Sequence, residues 1–115
     1  MPLITGTQIL EASDRGHRDV EVPEWGGEVR VLVLSGRERE RFERDSIGPD
    51  GKAIPGFRQL LLVRTLANEA REPLFAEGDA DALAEKSGAV LSRLFEVAMD
   101  VNGFSKKAEE TAKGN

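Results

Sequence analysis

Cysteine is absent from the chain, and histidine occurs once, as His17 in a polar stretch. Without cysteine the chain can form neither a disulfide framework nor a zinc–thiolate site, and this absence fits a reducing compartment. His17 has no neighbouring cluster with which it could bind a metal or act as a base. We therefore interpret it as a solvated loop residue.

Long apolar runs are also missing. No segment approaches the roughly 20 apolar residues that a membrane-spanning helix needs, so we expect no membrane partner. The N-terminal sequence MPLITGTQILEASDRG has no basic leader ahead of a long apolar core, which would mark a secretory signal. These absences predict a cytosolic protein.

The sequence patterns of several catalytic and binding sites are absent as well. The Trp-Gly-Gly at 25–27 is not followed by the Lys-Ser/Thr pair of a phosphate-binding loop, and no serine lies in a nucleophile-elbow pattern. Asp79, Asp81 and Glu85 lack the spacing and central glycine of a calcium-binding loop, and the capping of a helix start explains them better. The sequence therefore predicts no catalytic residue, no cofactor-binding residue and no metal site.

The composition is that of one small globular domain, with 115 residues, of which 39% are hydrophobic and 32% are charged. A net charge of -5 repels phosphate backbones, so nucleic acid is not an expected partner. One stretch argues for nucleic acid, because it holds four arginines, Arg37, Arg39, Arg41 and Arg44. Glutamates alternate with these arginines and largely cancel their field. A small nucleic-acid-binding regulator is therefore the least favoured alternative.

A β-hairpin is predicted in the N-terminal part of the chain. Residues 19–22 and 28–34 alternate polar and apolar side chains, the period of half-buried strands, and EWGG between them supplies glycines for a tight turn. In the second strand three valines face one side, while Leu32 and Leu34 face the other. Because an isolated hairpin is marginally stable in water, another element must cover at least one face.

Helical patterns occupy most of the remaining sequence. Ser35 and Glu38 have the spacing of a capping box, which marks a helix start, and Asn102-Gly103 is a typical helix stop. The predicted helices span residues 5–12, 36–46, 57–69, 79–87 and 87–102. The economical arrangement is an α+β fold, in which an N-terminal β-hairpin packs with about four α-helices.

The predicted domain organisation is simple. Residues 1–104 are expected to form a single small domain, because neither a repeat nor a second domain is visible in the sequence. Residues 105–115 form a polar tail that is predicted to be disordered.

The order of these segments resembles the small tail assembly chaperones of long-tailed, siphovirus-type bacteriophages. A hairpin of the form VEVPEWGGEVRV is followed by SGRERERFE, then by the leucine-rich RQLLLVRTL, the turn EPLF and LAEKSGAVLSRLFEVAMDVNGFS. The similarity covers roughly residues 7–105. No single motif is specific, but the ordered combination is.

The resemblance implies a non-enzymatic role in virion morphogenesis. Such proteins coat the long helical tape measure protein and keep it soluble until tail tube subunits polymerise around it. A frameshifted longer form, where it exists, recruits the tail tube protein. The resemblance further implies a location in the cytoplasm of the infected bacterial host and absence from the mature virion. The alternative is a structural component of the tail or of its completion machinery.

A chaperone of amphipathic helices needs an exposed apolar surface, and the same surface favours self-association into an oligomer. The candidate partner-binding residues are Trp25, Leu32, Leu34 and Phe104. The alternative for Leu32 and Leu34 is that they lie under a helix of their own chain, and for Trp25 that it packs on its own hairpin. The sequence leaves both alternatives open.

Overall fold

The computed structural model describes residues 2–104. In chain order the elements are α1 (Gly6–Glu11), β1 (His17–Val22), β2 (Gly27–Leu32), α2 (Gly36–Asp45), α3 (Phe57–Thr65), β3 (Leu66–Ala67), α4 (Ala80–Leu83) and α5 (Gly88–Val101), with single 3-10 turns at Pro23–Trp25 and Glu77–Asp79. The predicted α+β class is confirmed. The predicted tail at 105–115 lies outside the described residues.

The hairpin is formed by β1 and β2, which pair antiparallel from His17 opposite Leu32 to Val22 opposite Gly27. Pro23 ends β1 because it has no N–H for the ladder, and Gly26 closes the connection with a φ of 80°. The first strand begins at His17, two residues before its predicted start at Asp19. His17 was therefore wrongly assigned to a loop, although it is exposed.

The two faces of the hairpin differ in character. Val20, Val22, Val29 and Val31 belong to the inner face, where Val22 and Val31 are fully buried. This inner face contacts α5 and supplies the sheet side of the core.

Leu34 corrects the predicted alternation of the second strand. The ladder ends at Leu32, and the chain then turns toward α2, so that the side chain of Leu34 enters the core and is only 8% exposed. Leu32 stays on the outer face and is half-buried. The two leucines therefore do not share one surface.

A short third strand replaces the predicted end of the second long helix. The helix α3 stops at Thr65 rather than at residue 69, and Leu66 and Ala67 pair with Val31 and Arg30 of β2. This pairing outweighs the helical pattern of the segment, because the extended backbone hydrogen-bonds to β2 and buries both side chains.

A tight turn follows β3, at positions where the sequence predicts the end of the second long helix. The side-chain carbonyl of Asn68 accepts hydrogen bonds from the N–H groups of Ala70 at 2.9 Å and Glu72 at 3.0 Å. Asparagine commonly stabilises turns in this way. Arg71 adopts a φ of 64°, which a helix does not allow.

The helices α3 and α5 pack against each other and against the sheet, and they form most of the core. The buried apolar residues of these two helices are Leu61, Leu62, Val63, Val90, Leu91, Leu94 and Ala98. On α5 they recur at helical spacing and form one apolar stripe, in agreement with the helix predicted over residues 87–102.

The C-terminal end of α5 is a Schellman motif. The N–H of Phe104 bonds to the carbonyl of Met99 at 2.7 Å, and the N–H of Gly103 bonds to the carbonyl of Asp100 at 3.2 Å. Gly103 has a φ of 73°, which glycine adopts without steric cost. The predicted stop at Asn102-Gly103 is confirmed.

The start of α2 is the predicted capping box. The Ser35 hydroxyl accepts the N–H of Glu38 at 3.1 Å, while the Glu38 carboxylate accepts the N–H of Ser35 at 2.8 Å. Phe42 anchors this helix in the core. The helix α4 is shorter than the predicted 79–87. A 3-10 turn occupies Glu77–Asp79 at its start, and the helix already ends at Leu83.

The helix α1 is short and wholly exposed. Thr5 and Gln8 form a second capping box, with Thr5 as the N-cap. Every residue from Pro2 to Asp19 is exposed. The segment therefore contributes nothing to the buried core.

Candidate partner-binding groove

Trp25 occupies a fixed position at the tip of the hairpin. It ends the 3-10 turn that begins at Pro23, and its ring is half-buried against the core. Glu24 beside it accepts two hydrogen bonds of 3.0 Å from the guanidinium of Arg93 on α5. A bidentate pair of this kind fixes both distance and orientation, so the hairpin tip is held against α5.

Phe75 lies on the segment that follows β3. This segment is held to the sheet by the hydrogen bond from Leu74 N–H to the Leu66 carbonyl, at 3.1 Å, and by a bridge between Ala67 and Pro73. The Phe75 ring is half-buried and packs against the core. Its position is therefore set by the sheet rather than by a free loop.

The helix α4 supplies the third side of the site. Its entry is fixed by Asp79, whose carboxylate accepts the N–H of Ala76 at 2.9 Å. Leu83 is buried, whereas Ala82 and Lys86 are exposed.

Together these elements form an open groove of about 630 Å³, lined by Trp25, Phe75, Asp79, Ala82, Leu83 and Lys86. We call it the Trp25 groove. Most of its lining is apolar, with one carboxylate and one ammonium group among the lining side chains. Such a surface suits apolar side chains better than a polar small molecule. None of its residues has the nucleophile and base arrangement that covalent catalysis needs.

The structure separates the four candidate residues predicted from the sequence. Trp25 lies at the hairpin tip, in the groove. Leu32, Leu34 and Phe104 lie at the opposite end of β2, around the C-terminus of α5, where Asn102 bonds to the backbone of both leucines. Phe104 is half-buried, with its ring 6.0 Å from that of Phe42 and the Arg39 guanidinium 3.9 Å from its centroid.

Phe75 and Leu83 were missed as groove residues by the sequence analysis. The signal for Phe75 is weak, because Pro73 and Gly78 bracket a piece with only Leu74 and Phe75 as large apolar residues. Leu83 follows ordinary helical spacing. That both residues meet Trp25 depends on how α4 packs against the hairpin, which local sequence does not specify.

A second hollow, of about 590 Å³, includes Asp19, Glu28, Arg30 and Glu69. The Asp19 carboxylate accepts hydrogen bonds from Arg30 at 2.7 and 2.9 Å, and this pairing lowers the pKa of Asp19. The hollow is more polar than the Trp25 groove, and its arginine is already paired within the chain.

Three arginines of α2, Arg39, Arg41 and Arg44, also pair with carboxylates. Arg39 pairs with Glu43 at 3.3 Å, and Arg41 lies 3.8 Å from Asp45. Asp45 additionally accepts a 2.7 Å hydrogen bond from Arg64 of α3, which lowers its pKa. These acids neutralise much of the positive charge of the arginine-rich stretch, as the sequence pattern indicates.

Residues 2–104 contain neither a candidate metal centre nor a helix that could span a membrane. No cluster of three or more histidine, cysteine, aspartate or glutamate side chains could hold a metal ion there. In the same part of the chain, no helix has the length and apolar character required to cross a membrane.

The fold and the groove define a small α+β protein whose distinctive surface is apolar and open. A family model described as phage tail assembly chaperone matches residues 7–114. The chain therefore belongs to the phage tail assembly chaperone family, which confirms the resemblance seen in the sequence.

A solved structure agrees with this assignment. The chain is similar to the tail assembly chaperone of bacteriophage HK97, with 27% identity, a TM-score of 0.59, and coverage of 83% of this chain and 94% of the HK97 chain. No curated protein sequence matches this chain.

Proposed function

We propose that this protein is a non-enzymatic chaperone that binds the tape measure protein of its phage and keeps it soluble while tail tube subunits polymerise. Family membership over residues 7–114 supports the role in tail assembly. The observation that carries the binding step is the Trp25 groove, because it leaves apolar side chains accessible at the surface of a folded domain.

The groove suits the apolar face of an amphipathic helix. Such helices bind by placing residues at helical spacing into a hydrophobic groove, with polar groups at its margin. Trp25 and Phe75 would supply the contact area, and Asp79 and Lys86 would meet polar residues of the helix. Large aromatic side chains often dominate the energy of such contacts.

The proposed function includes a cellular location and a stage of phage assembly. It acts in the cytoplasm of the infected bacterial host, associates with further copies of itself, and is absent from the mature virion. Where a frameshifted longer form exists, that form recruits the tail tube protein. Leu32 and Phe104 are secondary candidates for contact, because both are half-buried at the opposite end of β2.

The test is co-expression with the tape measure protein of the same genome. The wild-type chain should co-purify with its client and increase the soluble fraction of it, whereas Trp25→Asp should lose most of both effects. Ile47→Asp is the matched control, because Ile47 is a 48% exposed apolar residue outside the lining of the groove. Circular dichroism should show that all three chains are folded.

Two results would contradict the proposal. One is a wild-type chain that neither associates with the client nor raises its solubility. The other is detection of the chain in purified virions by mass spectrometry, which would favour a structural tail component instead. Equal loss in Trp25→Asp and Ile47→Asp would remove the groove from the binding step.

A further inference from the structure

The exposed N-terminal segment carries an apolar surface that its own domain does not cover. Four large apolar residues stand out, with exposed fractions of 100% for Leu3, 62% for Ile4, 57% for Ile9 and 87% for Leu10. We call residues 3–10 the N-terminal arm. No charged residue occurs within it, although 32% of the chain is charged.

A partner would stabilise the helix of the arm. The helix α1 has only six residues, whereas isolated helices shorter than about 12 residues are marginal in water. Its capping box satisfies the first backbone donors but adds only about 1 kcal/mol. The remaining stabilisation has to come from burial of apolar side chains, and the domain to which the arm is joined buries none of the four.

The Trp25 groove has the complementary chemistry. Its lining by Trp25, Phe75 and Leu83 matches an uncharged arm better than the polar hollow on the outer face of the sheet does. The charges at the ends also match. Glu11 is the first charged residue after the arm, and Lys86 lines the groove. Among residues 2–104 neither makes an ion pair, so each is available to the other.

The arm is held away from the groove of its own chain. Arg15 pairs with Glu38 of α2 at 3.0 Å, and the Gly16 carbonyl accepts the Val33 N–H at 3.1 Å. These two contacts fix the linker between α1 and β1. With the linker held, the arm is exposed and the groove stays open in the same molecule.

We propose that the N-terminal arm of one copy docks in the Trp25 groove of a second copy, with Ile9 and Leu10 on the apolar lining and Glu11 beside Lys86. Only the biological role of this contact rests on the proposed function, because the contact between two copies forms without the tape measure protein. Where both proposals hold, arm and tape measure helix compete for one groove, so that free chaperone keeps the groove covered until a client displaces the arm.

Site-specific cross-linking tests the contact directly, because the chain has no cysteine of its own. Leu10→Cys and Ala82→Cys are prepared as two separate chains, mixed without any client, and oxidised mildly. The expected product is a covalent dimer that contains one chain of each kind, and Lys86→Glu in the Ala82→Cys chain should reduce its yield several-fold. Asp50→Cys replaces Leu10→Cys in the matched control and should give no dimer above background.

Sedimentation of the chain without cysteines supplies the second readout. The full chain should sediment above the monomer mass of 12.6 kDa at high concentration, and deletion of residues 2–11 should return it to a monomer. Since no residue of the arm is buried, the deletion should remove only the small helical signal of α1 from the far-ultraviolet spectrum and leave the melting temperature of the domain nearly unchanged.

Three results would overturn the inference. They are a strictly monomeric full chain, an oligomer unaffected by the deletion, and a mixture of the Leu10→Cys and Ala82→Cys chains that gives no mixed dimer above the Asp50→Cys background. None of these measurements contains the tape measure protein. Loss of client binding with an intact arm contact would contradict the proposed function alone.

Discussion

The side-chain carbonyl of Asn102 accepts a 2.7 Å hydrogen bond from the backbone N–H of Leu34, which lies 68 positions earlier in the chain. The amide group of the same residue donates to the carbonyls of Leu32 at 3.2 Å and Ala98 at 3.0 Å. One buried side chain thus joins the end of β2 to the end of α5, and it satisfies the carbonyl of Leu32 and the N–H of Leu34, where β2 ends.

Replacement of Asn102 should therefore be costly. Asn102→Ala leaves the buried N–H of Leu34 without a hydrogen-bond partner, and the smaller side chain makes no new contact that would offset this cost. We therefore expect a loss of about 2 to 3 kcal/mol in the free energy of unfolding. Urea denaturation measures it. Asn68→Ala is the matched control, because Asn68 makes its hydrogen bonds in an exposed turn. A loss of the same size in both variants would contradict the joining role.

Truncation of α5 in the core should destabilise the fold by a different mechanism. Leu94 is fully buried, and Leu94→Ala removes buried methyl groups and leaves a cavity, which costs about 2 to 5 kcal/mol. Leu74→Ala makes the same chemical change at a residue that is 46% exposed, and it should cost less than about 1 kcal/mol. Thermal and urea unfolding of both variants decide the comparison. A small loss at Leu94 would place this stripe at an interface.

The ion pair at the hairpin tip predicts a pH dependence. The pKa of Glu24 is lowered from 4.5 to about 2, chiefly by the hydrogen bonds from Arg93. Because the carboxylate is held in the folded state, its stabilising contribution is complete above about pH 4.5 and is lost as the pH falls toward 2.

The measurement compares wild type with Glu24→Gln between pH 7 and pH 2. The difference in the free energy of unfolding should be constant at higher pH and should shrink below pH 4.5, the unperturbed pKa of this carboxyl. Added salt should reduce the difference, because the pair is solvent-exposed. Glu40→Gln is the control, since Glu40 makes no ion pair within residues 2–104. A difference that does not vary with pH would refute the assignment.

Gly103 at the end of α5 should resist replacement. Its φ of 73° is strained for any residue with a Cβ, while the space around it is free except for ordinary contact with Arg39. Gly103→Ala should therefore cost about 1 kcal/mol from the backbone alone. Gly88→Ala at the start of α5 should be neutral or stabilising, because its backbone is helical and a Cβ there meets nothing. Opposite signs are expected in thermal unfolding, and equal signs would exclude backbone strain as the cause.

Features with a local physical cause were predictable from the sequence. The Ser35 capping box, the stop at Asn102-Gly103 and the alternation of the hairpin each depend on residues within a few positions of one another. The structure reproduces these features with small shifts at the boundaries. Family membership was predictable for a related reason, because the order of such local signals along the chain is itself specific.

Features that depend on distant pairing were not predictable. Leu66 and Ala67 have a helical pattern, and only their contact with β2 makes them a strand. Leu34 seemed to share a face with Leu32 because alternation was extended past the true strand end. The groove forms only because Trp25 and Phe75, which are 50 positions apart in sequence, lie close together in the fold. The arm is exposed because no other element of the described chain packs against it.

The outer strand β1 has a further consequence for how copies can meet. One of its sides pairs with β2, and its other side is not paired within residues 2–104. A free strand edge can pair with a strand of another molecule, and repeated pairing leads to aggregation. Ionisable side chains lie along most of the free edge of β1, at His17, Arg18, Asp19 and Glu21. Another strand could join only by bringing its own side chains against these groups. The charged edge of β1 therefore disfavours strand-to-strand pairing between copies of the chain.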